Sequence, residues 1–160
     1  MMLRKQILPT HPTPGVQQRE ISIPETATIL VTSETVDHPV DHICDGRRGP
    51  GATRWVAKEP GEQTIILAFD TPLSLNTVSL EIEEFEVSRT QELTVAISKD
   101  RGETYRELLR QEYHFSPSGT TFERERWTIA APAVTHLKIW IKPDKSNTFC
   151  YATITSLSLE

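Results

Sequence analysis

Between Asp37 and Asp45 the chain places six side chains able to ligate a metal within nine residues: Asp37, His38, Asp41, His42, Cys44 and Asp45. Neutral imidazole, thiolate and carboxylate together suit zinc or another transition metal. Spacing argues against a closed site. A structural zinc draws four ligands from two clusters, no second group of Cys and His follows, and Pro39 stiffens the middle of this one. The plainer reading is a capped turn or short helix leading into a loop. Cys44 beside His42 or His38 also invites a nucleophile and its base. That chemistry needs a lowered thiol pKa, a base at hydrogen-bond range and an oxyanion pocket, and adjacency in sequence ensures none of these.

Asp45-Gly46 then opens a loop through Arg47, Arg48, Gly49-Pro50-Gly51 and Thr53-Arg54-Trp55. Arginines around a tight turn can hydrogen-bond sugar hydroxyls or pair with carboxylates in a fork, and a solvated loop is the competing reading. Further on, Ser98-Lys99-Asp100-Arg101-Gly102-Glu103-Thr104-Tyr105 matches a hairpin device in which an Asp bonds turn amides, a Gly takes a left-handed conformation and an aromatic covers the turn. One copy without repeats is a structural feature. Glu81, Glu83, Glu84 and Glu86 come with no nucleophile and read as a solvated strand edge. No catalytic residue emerges, so the expectation is a non-enzyme, at most an accessory domain of a hydrolase.

The elements that position these residues are short runs of Val, Ile, Leu and Thr separated by Gly, Pro, Asn, Asp and Ser, the pattern of an all-β domain. Strands are predicted at 28–32, 63–69, 76–84, 92–98, 105–109, 121–129, 136–141 and 152–159. Val78, Leu80 and Ile82 alternate with Thr77, Ser79 and Glu81, and Leu93, Val95 and Ile97 alternate with Thr94, Ala96 and Ser98, so each run has one face for a core. Residues 105–113 contain helix formers that compete with the strand reading. Two antiparallel sheets packed face to face bury all these stripes together.

At 160 residues the chain is long enough for one ordinary domain, predicted over 21–160, after a Pro-rich N-terminal lead-in over 1–20. With 17 Lys and Arg against 22 Asp and Glu, a net charge of -5 offers no field for nucleic acid or anionic membrane. No apolar run resembles an export signal or a membrane span, so the default location is cytoplasmic, with Cys44 and Cys150 as reduced thiols.

The order of these signals resembles the galactose-binding-like β-sandwich domains, the discoidin or coagulation factor 5/8 type C group and related bacterial carbohydrate-binding modules. The residues that carry the resemblance are Thr32-Ser33, His38-Pro39, Asp45-Gly46, Thr53-Arg54-Trp55, the 95–105 strand and turn, and the closing segments 137–143 and 152–159. It implies a jelly-roll β-sandwich of about eight antiparallel strands that binds through loops at one end. In many such domains a structural calcium sits by the Asp-Gly loop. Asp45 is in place here, but Ser156 stands where the resemblance implies a Glu, so no cofactor is expected beyond a calcium held by Asp45 and backbone oxygens.

The function expected is a non-catalytic binding module for a carbohydrate or small polar ligand, with His42, Arg47, Arg48, Arg54 and Trp55 as binding candidates. The alternative is an intracellular protein-interaction adaptor. Alternation places Trp140 between Lys138 and Lys142 on an outer sheet surface, where it either anchors a protein partner or is covered by the N-terminal segment. Trp127 is expected inside, beside Ile129.

Overall fold

The computed structural model describes residues 20–146 and 149–160. It has eight strands: β1 (Ala27–Val31), β2 (Trp55–Val56), β3 (Gln63–Glu83), β4 (Arg89–Ser98), β5 (Arg106–Phe115), β6 (Phe122–Lys142), β7 (Thr153–Ile154) and β8 (Ser156–Leu159). A one-turn helix, α1 (Ile23–Thr26), precedes them, and a 3₁₀ turn (Val40–Cys44) follows β1. Apart from Glu20, the predicted lead-in lies outside the described residues, as does any cover it gives Trp140. No helix among the described residues is long and apolar enough to cross a membrane.

Every pairing is antiparallel. The main sheet runs β1-β3-β6-β4-β5, with β8 also paired to β3, while β2 and β7 form a separate ribbon. Because β3 and β6 are each 21 residues long, they cross from one layer to the other. Their first contact, Gln63 to Ala68 against Ile141 to His136, lies in the layer with β1, β4 and β5; their second, Thr77 to Glu83 against Thr128 to Phe122, lies beside β8.

Pairs of strands predicted separately at 63–69 and 76–84, and at 121–129 and 136–141, are therefore continuous. The predicted breaks survive as bends. Register shifts fall between Ala68 and Thr77, around Pro72, which has no amide to donate. On β6 the bend holds Pro132 between Ala130 and Ala133, which have φ of 44° and 56°, a left-handed geometry that costs an L-residue about 1–2 kcal/mol each. The predicted last strand divides at Thr155 into β7 and β8. Of residues 105–113, 106–113 are strand: Tyr113 and Phe115 reach the core from β5, burial that outweighs the helix preference of their neighbours.

Between the layers lie Ile65, Leu67, Val78, Leu80, Ile82, Leu93, Val95, Ile97, Leu137, Ile139, Ile141, Leu157 and Leu159, each at most 2% exposed. The predicted alternation thus holds on its inner face, where each such side chain contributes about 1.5–3 kcal/mol by leaving water. Trp127 and Ile129 pack against this core partly buried. Trp140, in register with Thr64 and Thr94, sits half-buried on the opposite face from Ile139 and Ile141.

Candidate binding site

Strand direction collects one set of loops at one rim. There β3 ends at Glu83, β4 begins at Arg89, β6 ends at Lys142, and β2 and β7 pair Trp55 with Ile154 and Val56 with Thr153. At this rim the Asp-Gly loop, residues 45–53, and a cleft lie side by side.

The Asp-Gly loop is held by carboxylates. Asp45 accepts from the Arg47 amide through Oδ1 at 2.9 Å and from the Thr53 hydroxyl through Oδ2. The Gly49 amide donates to Glu81 Oε2 at 2.8 Å, and the Gly51 amide donates to both Glu83 oxygens at 3.1 Å. Gly49 and Gly51, with φ of 86° and 81°, take left-handed conformations on either side of Pro50. Glu81 is buried and its other oxygen accepts from Arg124 Nε at 2.8 Å.

Glu81 therefore departs from the predicted solvated edge, and so does Glu84, which lies 3.0 Å from Arg89 Nε. Arg89 is 5% exposed, and its Nη1 donates to the carbonyls of Pro143 at 3.2 Å and Tyr151 at 2.7 Å. Burial pushes the Arg89 guanidinium below its ordinary value, opposed first by Glu84. Arg89 thereby fastens the 84–89 turn to two more segments of the rim.

These segments wall a cleft of about 450 Å³ lined by Arg54, Val56, Glu83, Glu84, Glu86, Val87, Arg89, Phe149, Cys150, Tyr151 and Thr153. The Arg54 guanidinium lies 5.8 Å from the centre of the Phe85 ring, a cation–π arrangement. Among the described residues six large hydrophobic side chains are exposed; three of them, Val87, Phe149 and Tyr151, line this cleft, and a fourth, Phe85, lies beside it under the Arg54 guanidinium.

The residues predicted for the site are dispersed. Arg54 lines the cleft. His42 serves it indirectly, since its Nδ1 bonds the Arg54 carbonyl at 2.9 Å; with a carbonyl as partner, Nδ1 carries the proton and donates. Trp55 is 0% exposed and its Nε1 donates to the Ser33 carbonyl at 2.9 Å, so it packs the core and offers no surface to a ligand. Arg47 is exposed on the loop, and Arg48 pairs with Glu20 at 2.7 Å beside a different groove.

Calcium takes six to eight oxygens and favours carboxylates. Asp45 already uses both oxygens within its loop, and Ser156, on the same groove, brings a hydroxyl. Among the described residues no group of three or more His, Cys, Asp or Glu is arranged to hold a metal ion. With Asp45 as its one carboxylate and a hydroxyl at Ser156, this loop offers calcium a poor donor set. Cys44 and Cys150 are free thiols; burial first, then Asp41 and Asp45, pushes Cys44 up, opposite to the need of a nucleophile.

Tyr151, Phe85, Val87, Glu86 and Arg89 were not anticipated as site residues. The one local signal for the cleft is the run Glu83-Glu84-Phe85-Glu86-Val87, where aromatic and apolar residues interrupt acids just after a strand.

With this geometry, structural comparison is decisive for the architecture. The fold is that of the galactose-binding-like carbohydrate-binding modules. The family 32 module of AlyQ, in complex with 4,5-unsaturated mannuronic acid, matches with a TM-score of 0.62 at 20% identity over 89% of this chain and 98% of that one. A family 32 module of Clostridium perfringens NanJ, in complex with galactose, matches at 0.61 with 14% identity over 88% and 96%. A third, CBM32-3 from a family 31 glycoside hydrolase of Clostridium perfringens, gives 0.63 with 14% identity over 88% and 93%. No protein-family model matches the chain, and no curated protein matches it in sequence. The predicted jelly-roll β-sandwich is the observed fold.

Proposed function

We propose that this protein is a non-catalytic carbohydrate-binding module whose sugar site is the cleft between Arg54, residues 83–89 and residues 149–153. The observation that carries this reading is the gathering of exposed apolar side chains at one polar-walled cleft. A sugar ring has apolar C–H faces and a polar rim of hydroxyls. Tyr151 offers a platform for a face, while Arg54 and the glutamates offer donors and acceptors for the rim. The cleft volume lies within the range of small-ligand sites. Similar folds in complex with galactose and with an unsaturated uronic sugar support the ligand class.

Arg54 is the one predicted binding candidate that lines the cleft, with His42 fixing its backbone. Fold alone does not assign a ligand, so the side-chain chemistry of the cleft bears the weight. Calorimetric titration with neutral mono- and disaccharides tests the reading. Binding by the native chain that weakens about ten-fold in Tyr151→Ala, with an unchanged melting curve, is expected from loss of an aromatic anchor. Absence of heat with all sugars at millimolar concentration defeats it.

A further inference from the structure

Charge in the cleft carries a statement about which sugars it accepts, resting on the reading above that the cleft is a sugar site. Two guanidiniums and three carboxylates line it, but they are not equally available. Arg89 and Glu84 neutralise one another at 3.0 Å, and their side chains are only 2% and 17% exposed. Both Arg89 Nη1 contacts run to main-chain carbonyls of the rim. The charges left facing a ligand are Glu83, Glu86 and Arg54. Glu83 spends hydrogen-bond capacity on the Gly51 amide, and among the described residues no salt bridge reaches Glu83 or Glu86. Arg54 is the single counter-charge, with its guanidinium held against Phe85.

We propose that this cleft discriminates by charge, admitting neutral sugars, preferring those bearing a protonated amine, and rejecting uronic and sulfated sugars. A carboxylated sugar entering it meets two carboxylates and one guanidinium within a Debye length, so its charge is opposed on balance. An ammonium group finds the reverse. Glu86 is the specificity-determining residue, because it is exposed and belongs to neither the Arg89 pair nor the Gly51 contact.

The test is a calorimetric series with galactose and glucose, each compared with its 2-amino and uronic forms, run just below neutral pH so that amines are protonated and carboxylates are not. The expected order is amine, neutral, acid, with steps of about five-fold that shrink in high salt. Glu86→Gln compresses both steps to about two-fold, each read as a ratio to the neutral sugar bound by the same variant. Neutral binding with a uronic sugar equal or tighter, or an order indifferent to Glu86→Gln, overturns the charge rule and leaves the sugar site standing. No heat from any of the six sugars overturns both.

Discussion

Two neighbouring regions of one rim differ in what they do with their polar groups. The Asp-Gly loop is saturated: Asp45, Glu81 and Glu83 receive its amides and a hydroxyl, and Arg124 balances Glu81. The cleft beside it is held from beneath by Arg89 but leaves Tyr151, Glu86 and Arg54 on its lining. The contrast teaches that density of reactive residue types is a poor guide to a site. The Asp-Gly loop has spent Asp45 and two β3 carboxylates on its own construction, whereas the cleft consists of a buried fastening and a surface open to a ligand.

The largest expected effect removes that fastening. Arg89→Met leaves Glu84 and two rim carbonyls without their partner, a loss of about 3 kcal/mol in urea unfolding, and abolishes sugar binding. If stability falls while affinity holds, Arg89 does not support the cleft. Glu81→Gln strikes the saturated loop instead, weakening a charge-assisted amide contact and the Arg124 pair. A loss of about 1.5 kcal/mol with sugar affinity unchanged separates the two regions. Joint loss of affinity would show that the loop is part of the site.

A smaller effect comes from pH, at a second saturated turn. Ser98 and Thr104 hydrogen-bond the Asp100 carboxylate and hold it at about 2, against an ordinary value of 3.8. Its folded value is depressed, so its contribution is fully present above 3.8 and is lost as pH falls through about 2. In Asp100→Asn the deficit in unfolding midpoint relative to the native chain should therefore be largest near neutrality and close below pH 3.8. A deficit that persists at the acid end assigns the effect to packing. Smallest of all is the response to metal: neither chelator nor added calcium should move the melting temperature, because Asp45 is already occupied by Arg47 and Thr53.

Much of the fold is legible in periodicity. The alternations through Leu80 and Val95 name the faces that meet the core, although Thr94, Ala96 and Ser98 on the other face of β4 are buried as well, and the Ser98-to-Tyr105 turn forms as its residue types require, with the Gly102 amide on Ser98 Oγ at 2.9 Å. The site is far less legible. Period-two patterning states which face a residue occupies but not what lies opposite, so the contact of Glu81 with Gly49, 32 residues away, is invisible to it. By resemblance Trp55 belongs at the edge of the core beside the binding loops, and the structure takes its ring fully inside. Arg54, Glu86 and Tyr151 meet only because β2, β3 and the segment before β7 end at one rim, a convergence no local window contains.

The account stands most directly on where a sugar touches the protein. Amide chemical shifts followed during titration with the tightest-binding neutral sugar should move at Arg54, Glu86, Val87 and Tyr151 and stay fixed at Asp45 to Arg48. Shifts centred on the Asp-Gly loop, or on the sheet face around Trp140, with the cleft silent, would contradict it.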